Sequence, residues 1–273
     1  MLAHWLIGAA GAFIVAGAAY WRRSLSLSGM ASAILMGTIY YRAGDLFWFG
    51  ILLTFFITST ALSKWKAEGK QELEKSYAKT GRRDAGQVFA NGGLGMLVCL
   101  GNFVLPSPLW VYAFVGIMAT VTADTWATEL GGLSRKPPRS VLTGKRVPRG
   151  TSGGVSLAGS AAALAGGLLI GAFAWLFLRI SGHAPHSLSL PVQLLLGGAG
   201  GLAGAYADSI MGASVQRMYR CAVCGKVVEV SHHCGQPAAR HRGLSWMSND
   251  AVNLISSAAG GLVSLGLGSV FGS

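Results

Sequence analysis

The sequence predicts an all-α polytopic membrane protein, a bundle of about eight transmembrane helices with a small cytoplasmic cysteine-rich loop. Three observations carry that expectation. Only 12% of the 273 residues are charged while 52% are hydrophobic, against about 25% charged in ordinary globular chains. Forty glycines and eight tryptophans accompany them, a mix found in closely packed transmembrane helices with interfacial anchors. Apolar runs of spanning length recur along the chain, separated by short basic segments. Disorder, collagen, a secreted disulfide scaffold and a simple soluble enzyme are excluded.

The runs are read at Leu2–Tyr20, Leu25–Tyr41, Leu46–Leu62, Val88–Leu105, Leu109–Leu130, Gly154–Leu178, Leu190–Met211 and Ala251–Phe271, each close to the about 20 residues that cross a bilayer. The first is no cleaved signal peptide, because Arg22 and Arg23 follow the apolar run instead of preceding it. A net charge of +12 is also a nucleic-acid signal, but a nucleic-acid binder clusters its cations on one domain. Here they fall in short loops, the pattern of positive-inside topology.

With the loop after the third run inside, the cytoplasmic segments hold 20 of the 22 Lys and Arg, leaving Arg42 and Arg179 outside. Both termini are then external, Ser76 is cytoplasmic and Ser187 external. A single integral membrane domain, 1–273, carries three cytoplasmic loops: basic 63–86, basic and Gly-rich 131–153, and cysteine-rich 214–248. Within the first, Lys64–Arg83 alternates in sign and reads as a solvated or interfacial helix.

A carboxylate at the centre of a membrane helix costs about 3 kcal/mol, so such residues are functional candidates. Asp124 and Glu129 stand in TVTADTWATELGG, Asp208 in GAYADSIMGASVQ, Asp250 in SNDAVNLISS and Asp84 in RRDAGQVFANGG. By the charge topology all five lie at the cytoplasmic side. Asp84, Gln87 and Asn91 form one polar stripe by their spacing, as do Asn249 and Asn253, with Asp250 three before Asn253. Gly204, Asp208, Gly212 and Gln216 share another face. Asp124 and Glu129 are about 140° apart round a regular helix and serve one site only if the helix breaks near Gly131-Gly132. Interhelical hydrogen bonding or helix capping is the plainer alternative for each residue.

Arg135–Ser156 adds six cations and a Gly, Thr and Ser run before the sixth apolar run. Backbone N–H groups at a helix start, flanked by Lys and Arg, suit phosphate oxygens. The GK[ST] element of a Walker A motif is absent. Cations hold phosphates and carboxylates hold Mg²⁺, so the combination points to phosphate chemistry at the membrane surface. A weak repeat, Ala123-Asp124-Thr125 and Ala207-Asp208-Ser209, fits a shared site.

Cys99 stands alone and reads as a packing residue. Cys221-x2-Cys224 followed by Gly225 has the shape of a zinc knuckle, with Cys234 and a histidine completing four ligands. His233 is the first choice, and His232 and His241 remain open. A reducing cytoplasm disfavours a disulfide; free thiols and a redox CxxC are the other readings. Such a closed site shapes the loop and does not catalyse.

ADTWATELG, GTSGGVS, ADSIMGASVQ and NDAVNLISS, with QVFANGG upstream, resemble in that order the integral membrane family called domain of unknown function 92. The resemblance spans most of the chain; Ala123 stands where glycine is expected before the aspartate. That family includes a plant phytyl phosphate kinase and looks distantly related to dolichol kinase and to membrane cytidylyltransferases. The resemblance implies a polyprenyl-phosphate kinase, which converts an isoprenoid monophosphate and an NTP, CTP among the candidates, into an isoprenoid diphosphate. It implies Mg²⁺ on Asp124, Asp208 and Asp250, with Glu129 supporting. Lys145, Arg146, Arg83 and Thr151 would meet phosphates, and Gln87, Asn91, Asn249 and Asn253 would position nucleotide or metal. Asp124, Glu129 and Lys145 form the expected catalytic set, and the lipid chain would lie between glycine-rich helices. A CDP-lipid-forming nucleotidyltransferase would use the same groups. A lipid-phosphate transporter would place charges nearer the midplane.

Overall fold

A computed structural model describes residues 2–65, 77, 81–134, 136–182 and 189–271. Most of the loop Lys64–Arg83, with Ser76, and also Ser187 lie outside the described residues. The helices are α1 (Leu2–Trp21), α2 (Leu27–Lys64), α3 (Ala85–Val104), α4 (Pro108–Gly131), α5 (Leu157–Ile180), α6 (Leu190–Ser214) and α7 (Asn249–Phe271). Six of them, α2 to α7, are long and apolar enough to cross a membrane, and α1 contributes the shorter apolar stretch Trp5–Trp21.

The predicted runs Leu25–Tyr41 and Leu46–Leu62 are the two arms of α2. They meet at Asp45, whose φ of 67° and ψ of −161° break the helix. Its carboxylate accepts the Phe47 N–H at 2.7 Å, the local bond that lets Asp hold a turn. The arms then lie side by side, with Phe49 edge-on to Tyr41 at 5.9 Å. The sixth run starts at Leu157 instead of Gly154, because Gly154–Val155 forms a strand and Ser156 caps the helix by accepting the Gly159 N–H.

Helix α4 is the centre of the bundle: every residue from Tyr112 to Ala123 is buried. Helices α5, α6 and α7 pack round it, while α1, α2 and α3 form a further layer against that core. A helix covered on all sides has no polar face to betray its orientation. Close approach within the inner four depends on small residues. Thr120 donates to the Gly116 carbonyl at 2.8 Å and also reaches that of Gly200 at 3.2 Å, and Ser264 donates to Leu196 at 2.8 Å. A Cβ on Gly200 would run into Ser264, with the Gly260 carbonyl just behind. Gly200→Val should therefore cost at least the about 1–3 kcal/mol of an overpacked core, read as aggregation on size exclusion in detergent. Gly11→Ala, which meets nothing within 4 Å, should stay monodisperse; equal behaviour of the two variants would refute the packing account.

Among the described residues, three small antiparallel sheets lie between the helices. Strand β1 (Arg139–Ser140) pairs with β2 (Gly154–Val155). After α6, β3 (Met218–Arg220), β4 (Val227–Val228) and β7 (Ala239–Arg242) form a sheet in the order β4-β3-β7. A second hairpin pairs β5 (His232–His233) with β6 (Gln236–Pro237). Arg42, over Trp5 and Phe103, and Arg179, over Trp175, lie at the helix ends remote from these loops.

Candidate phosphate site at one end of the bundle

A polar cavity of about 470 Å³ opens where the ends of α2, α3, α4, α5, α6 and α7 converge. Asp124 and Glu129 from α4, Asp208 from α6, and Asn249 and Asn253 from α7 line it, with Arg83, Gln87 and Asn91 from the start of α3 and Thr151 from the Gly-rich loop. Nine residues singled out from sequence are thus brought together, from five separate stretches of chain.

Arg83 is held by its backbone before its side chain does anything. Its N–H donates to Ser24 and its carbonyl accepts from Ser26, each at 3.0 Å, so the α1–α2 turn and the start of α3 are tied. The guanidinium reaches Thr60 at 3.2 Å and lies over Phe55 and Phe56 at 5.7 and 5.6 Å. Burial lowers it to about 10, with Glu129 opposing the shift, so it stays cationic at neutral pH. Asp84 serves as a cap: it accepts the Gln87 N–H while the Gln87 side chain accepts the Asp84 N–H, a reciprocal capping box. Asn91 then donates to the Gln87 carbonyl at 2.9 Å.

No helix break brings Asp124 and Glu129 together, contrary to expectation. Helix α4 runs unbroken to Gly131, and its last two turns emerge into the cavity, so residues on several faces line it. Glu129 accepts from Ser63 at 2.5 Å. Asp208 accepts from Ser256 at 3.3 Å, linking α6 to α7, and is close enough to Asp124 for the two charges to repel.

The helix ends sort by polarity. Helices α3, α5 and α7 present N-terminal residues to the cavity: Arg83 and Gln87, Ser156 and Gly159, Asn249 and Asn253. Exposed N–H groups and the positive end of the helix dipole favour anions there. The Gly-rich loop is seated by Ser152, which donates to Gln216 at 2.6 Å, and by Gly153, whose φ of 80° and contact with the backbone of α6 exclude a side chain. Arg149 donates to the Gly132 carbonyl.

Three predicted residues do not line the cavity. Lys145 and Arg146 are exposed beyond the tight turn at Gly144, where φ is 67°. That turn folds the loop back, with Ser140 donating to the Lys145 carbonyl, and carries both cations away. Asp250 sits in the first turn of α7 beside the liner Asn249, but one residue is about 100° of rotation, which turns it off the Asn249–Asn253 face. Gln216, set on the Asp208 face by helical spacing, lines the cavity too; sequence reasoning missed Lys64, Arg149 and above all Glu229, which also line it. Glu229 lies near enough to Asp124 and Asp208 to repel both. It was legible only as one of ten acidic residues, inside a loop read for its cysteines.

In that loop Cys221, Cys224, His233 and Cys234 bring their ligand atoms within 4.8 Å of one another, the one such group of three or more among the described residues. His233 Nδ1 lies 3.5 Å from the Cys224 sulfur and 3.2 Å from that of Cys234; neither His232 nor His241 joins the group. The Cys221–Gly225 turn closes by the Gly225 N–H donating to the Cys221 carbonyl, with Gly225 at a φ of 71°. Hydrogen bonds, first from the Cys224 backbone and next from His233, pull the Cys221 thiol down to about 6, into the thiolate range that metals need. This set can hold a metal such as zinc. The subdomain is fastened to the bundle: Arg242 donates to the carbonyls of Gly212 and Ser214 at the end of α6, and Arg217 N–H donates to Met247 just before α7.

Membrane-spanning helices with a charge-lined cavity at one end define a polytopic integral membrane protein. The family described as integral membrane protein DUF92 matches residues 10–261, and the chain belongs to it. The chain is 32% identical over 262 residues to Protein PGR of Arabidopsis thaliana, covering 89% of this chain and 88% of that protein. It is 28% identical over 243 residues to an uncharacterized membrane protein, MJ0933, of Methanocaldococcus jannaschii, covering 88% and 84%. Protein VTE6, chloroplastic, of Arabidopsis thaliana is 28% identical over 247 residues, covering 88% of this chain and 64% of its own length. No solved structure matches.

Proposed function

We propose that this chain is a polyprenyl-phosphate kinase: an oxygen of an isoprenoid monophosphate attacks the γ-phosphorus of a nucleoside triphosphate, the β–γ anhydride bond breaks, and isoprenoid diphosphate and nucleoside diphosphate result. The observation that carries the reading is one cavity in which Asp124, Asp208 and Glu229 face Arg83, Arg149 and three helix N-termini. Family likeness, including that to VTE6, supports it. We read the arms of α2 as separate crossings, giving eight with α1, with the termini external and the cavity facing the cytoplasm.

A monoester phosphate has a second pKa near 6, so at neutral pH it is already an anionic nucleophile and needs no strong base. The problem is charge and alignment. Arg83, pinned through its backbone, holds one phosphate, while Arg149, Thr151 and the N–H groups at the start of α5 cradle the other. Asn249, Asn253 and Asn91 orient the nucleotide. The carboxylates Asp124, Asp208 and Glu229 fit a divalent cation, since mutually repelling acids around one cavity call for a counter-charge. They are spread more widely than the cysteine group, which suits Mg²⁺ because it keeps several of its waters. When bound, Mg²⁺ would neutralise phosphate charge. The Cys221, Cys224, His233 and Cys234 set is read as a structural zinc site that clamps both sides of the segment carrying Glu229.

The test follows label from nucleotide into lipid. With Mg²⁺ and geranylgeranyl or phytyl monophosphate, γ-labelled nucleotide should yield labelled lipid diphosphate, EDTA should stop it, and the free alcohol should be a poor substrate. Label entering only from the α position would establish a nucleotidyltransferase instead, and label entering from neither would leave a transporter.

A further inference from the structure

An amphiphile with a phosphate head needs a polar and an apolar site that touch. A second, smaller cavity of about 60 Å³ lies between α1, the two arms of α2 and the first turns of α3. Its walls are apolar: Ala16, Ala33, Gly37, Phe49, Leu52 and Phe56 are among them. It also shares Arg83, Gln87 and Asn91 with the polar cavity. The two cavities adjoin at those three residues, and the Arg83 guanidinium, resting on Phe55 and Phe56, stands between them.

We infer that this cleft receives the first isoprene unit of a lipid monophosphate whose phosphate lies at Arg83, an assignment that rests on the reading of the polar cavity as a lipid-phosphate site. The expected alternative, a seam between glycine-rich helices, is closed: at Gly167 and Gly197 the backbones of α5 and α6 touch, and so do those of α4, α6 and α7 at Gly116, Gly200 and Gly260. The cleft is too small for a long chain, so the remainder runs out past α1. That helix offers small residues there, Ala12 and Ala16, and its far face carries exposed Phe13 and Ile14 toward lipid. The sequence marks Arg83 for phosphate but hides the cleft, because no local pattern sets Arg83 beside apolar residues of α1 and α2.

The test is photolabelling of the full chain in nanodiscs with geranylgeranyl monophosphate bearing a diazirine on its first isoprene unit. Adducts should map to the facing arms of α2 and the start of α3. Unlabelled geranylgeranyl monophosphate should suppress them at least tenfold, and inorganic phosphate should not. Ala33→Leu, which fills the cleft, should cut labelling about as much while nucleotide binding is unchanged. Adducts confined to α5, α6 or α7, or labelling suppressed equally by inorganic phosphate, would overturn the assignment. Because the readout is binding, the two readings fail separately. Cleft adducts without γ-label transfer sink the kinase alone, and transfer with adducts elsewhere sinks the cleft alone.

Discussion

Asp124→Asn is expected to lower turnover by about 10²–10³-fold or more, the scale of losing one preorganised electrostatic group in an active site, without disturbing the fold. Asn keeps the size of Asp, so the wall of α4 between buried Ala123 and the lining residue Thr125 is unchanged. Removing the charge also relieves repulsion from Asp208 and Glu229, so thermal stability should hold or rise. That separation is the informative part. A structural carboxylate that tied helices together would lose stability on substitution, whereas one kept for a cation and a phosphate loses only activity. Thermal melting in detergent, measured beside the γ-label assay, reads both. Near-normal turnover would show that Asp124 is packing.

The second large effect concerns the cysteines. Purified protein is expected to carry about one zinc per chain, and Cys221→Ser to lose it. Zinc held by such a set contributes about 10–16 kcal/mol in small finger peptides, far more than the two short sheets of this segment can supply alone. Glu229 lies between the Cys221–Cys224 pair and the His233–Cys234 pair. Without metal it should leave the cavity, and turnover should fall by about the loss given by Glu229→Gln. The helical bundle should survive, since its packing is built from α4 to α7. Metal content by mass spectrometry, helicity by circular dichroism and turnover together decide it. A metal-free wild type with full activity would remove the connection.

Much of the site was legible because membranes make polar residues conspicuous. Asp124, Glu129, Asp208, Asn249 and Asn253 stand out against apolar surroundings, and helical spacing correctly paired Asn249 with Asn253. The same logic failed where the surroundings were polar. Glu229 and Arg149 sit in loops rich in charge, where one more charge carries no signal, and Lys145 and Arg146 looked equivalent to Arg149 until the turn at Gly144 separated them. Asp250 shows the limit of spacing: i to i+3 allows a shared face, but the cavity occupies only the side that Asn249 and Asn253 cover.

What the sequence alone determined was the solvent. Its hydropathy, its loop charges and its cysteine spacing depend on local composition, and they set a helical membrane protein and three cysteines of a group that could hold a metal; the fold chose His233 as the fourth member. What only the tertiary structure decided was which helix lies at the centre and which polar groups meet. Helix α4 carries no periodic pattern because it is buried on every side, and the union of Arg83 with an apolar cleft depends on a backbone tie between Ser24, Ser26 and Arg83. Contacts of that kind join residues about 60 positions apart through ordinary peptide groups, which every residue possesses and no sequence pattern marks.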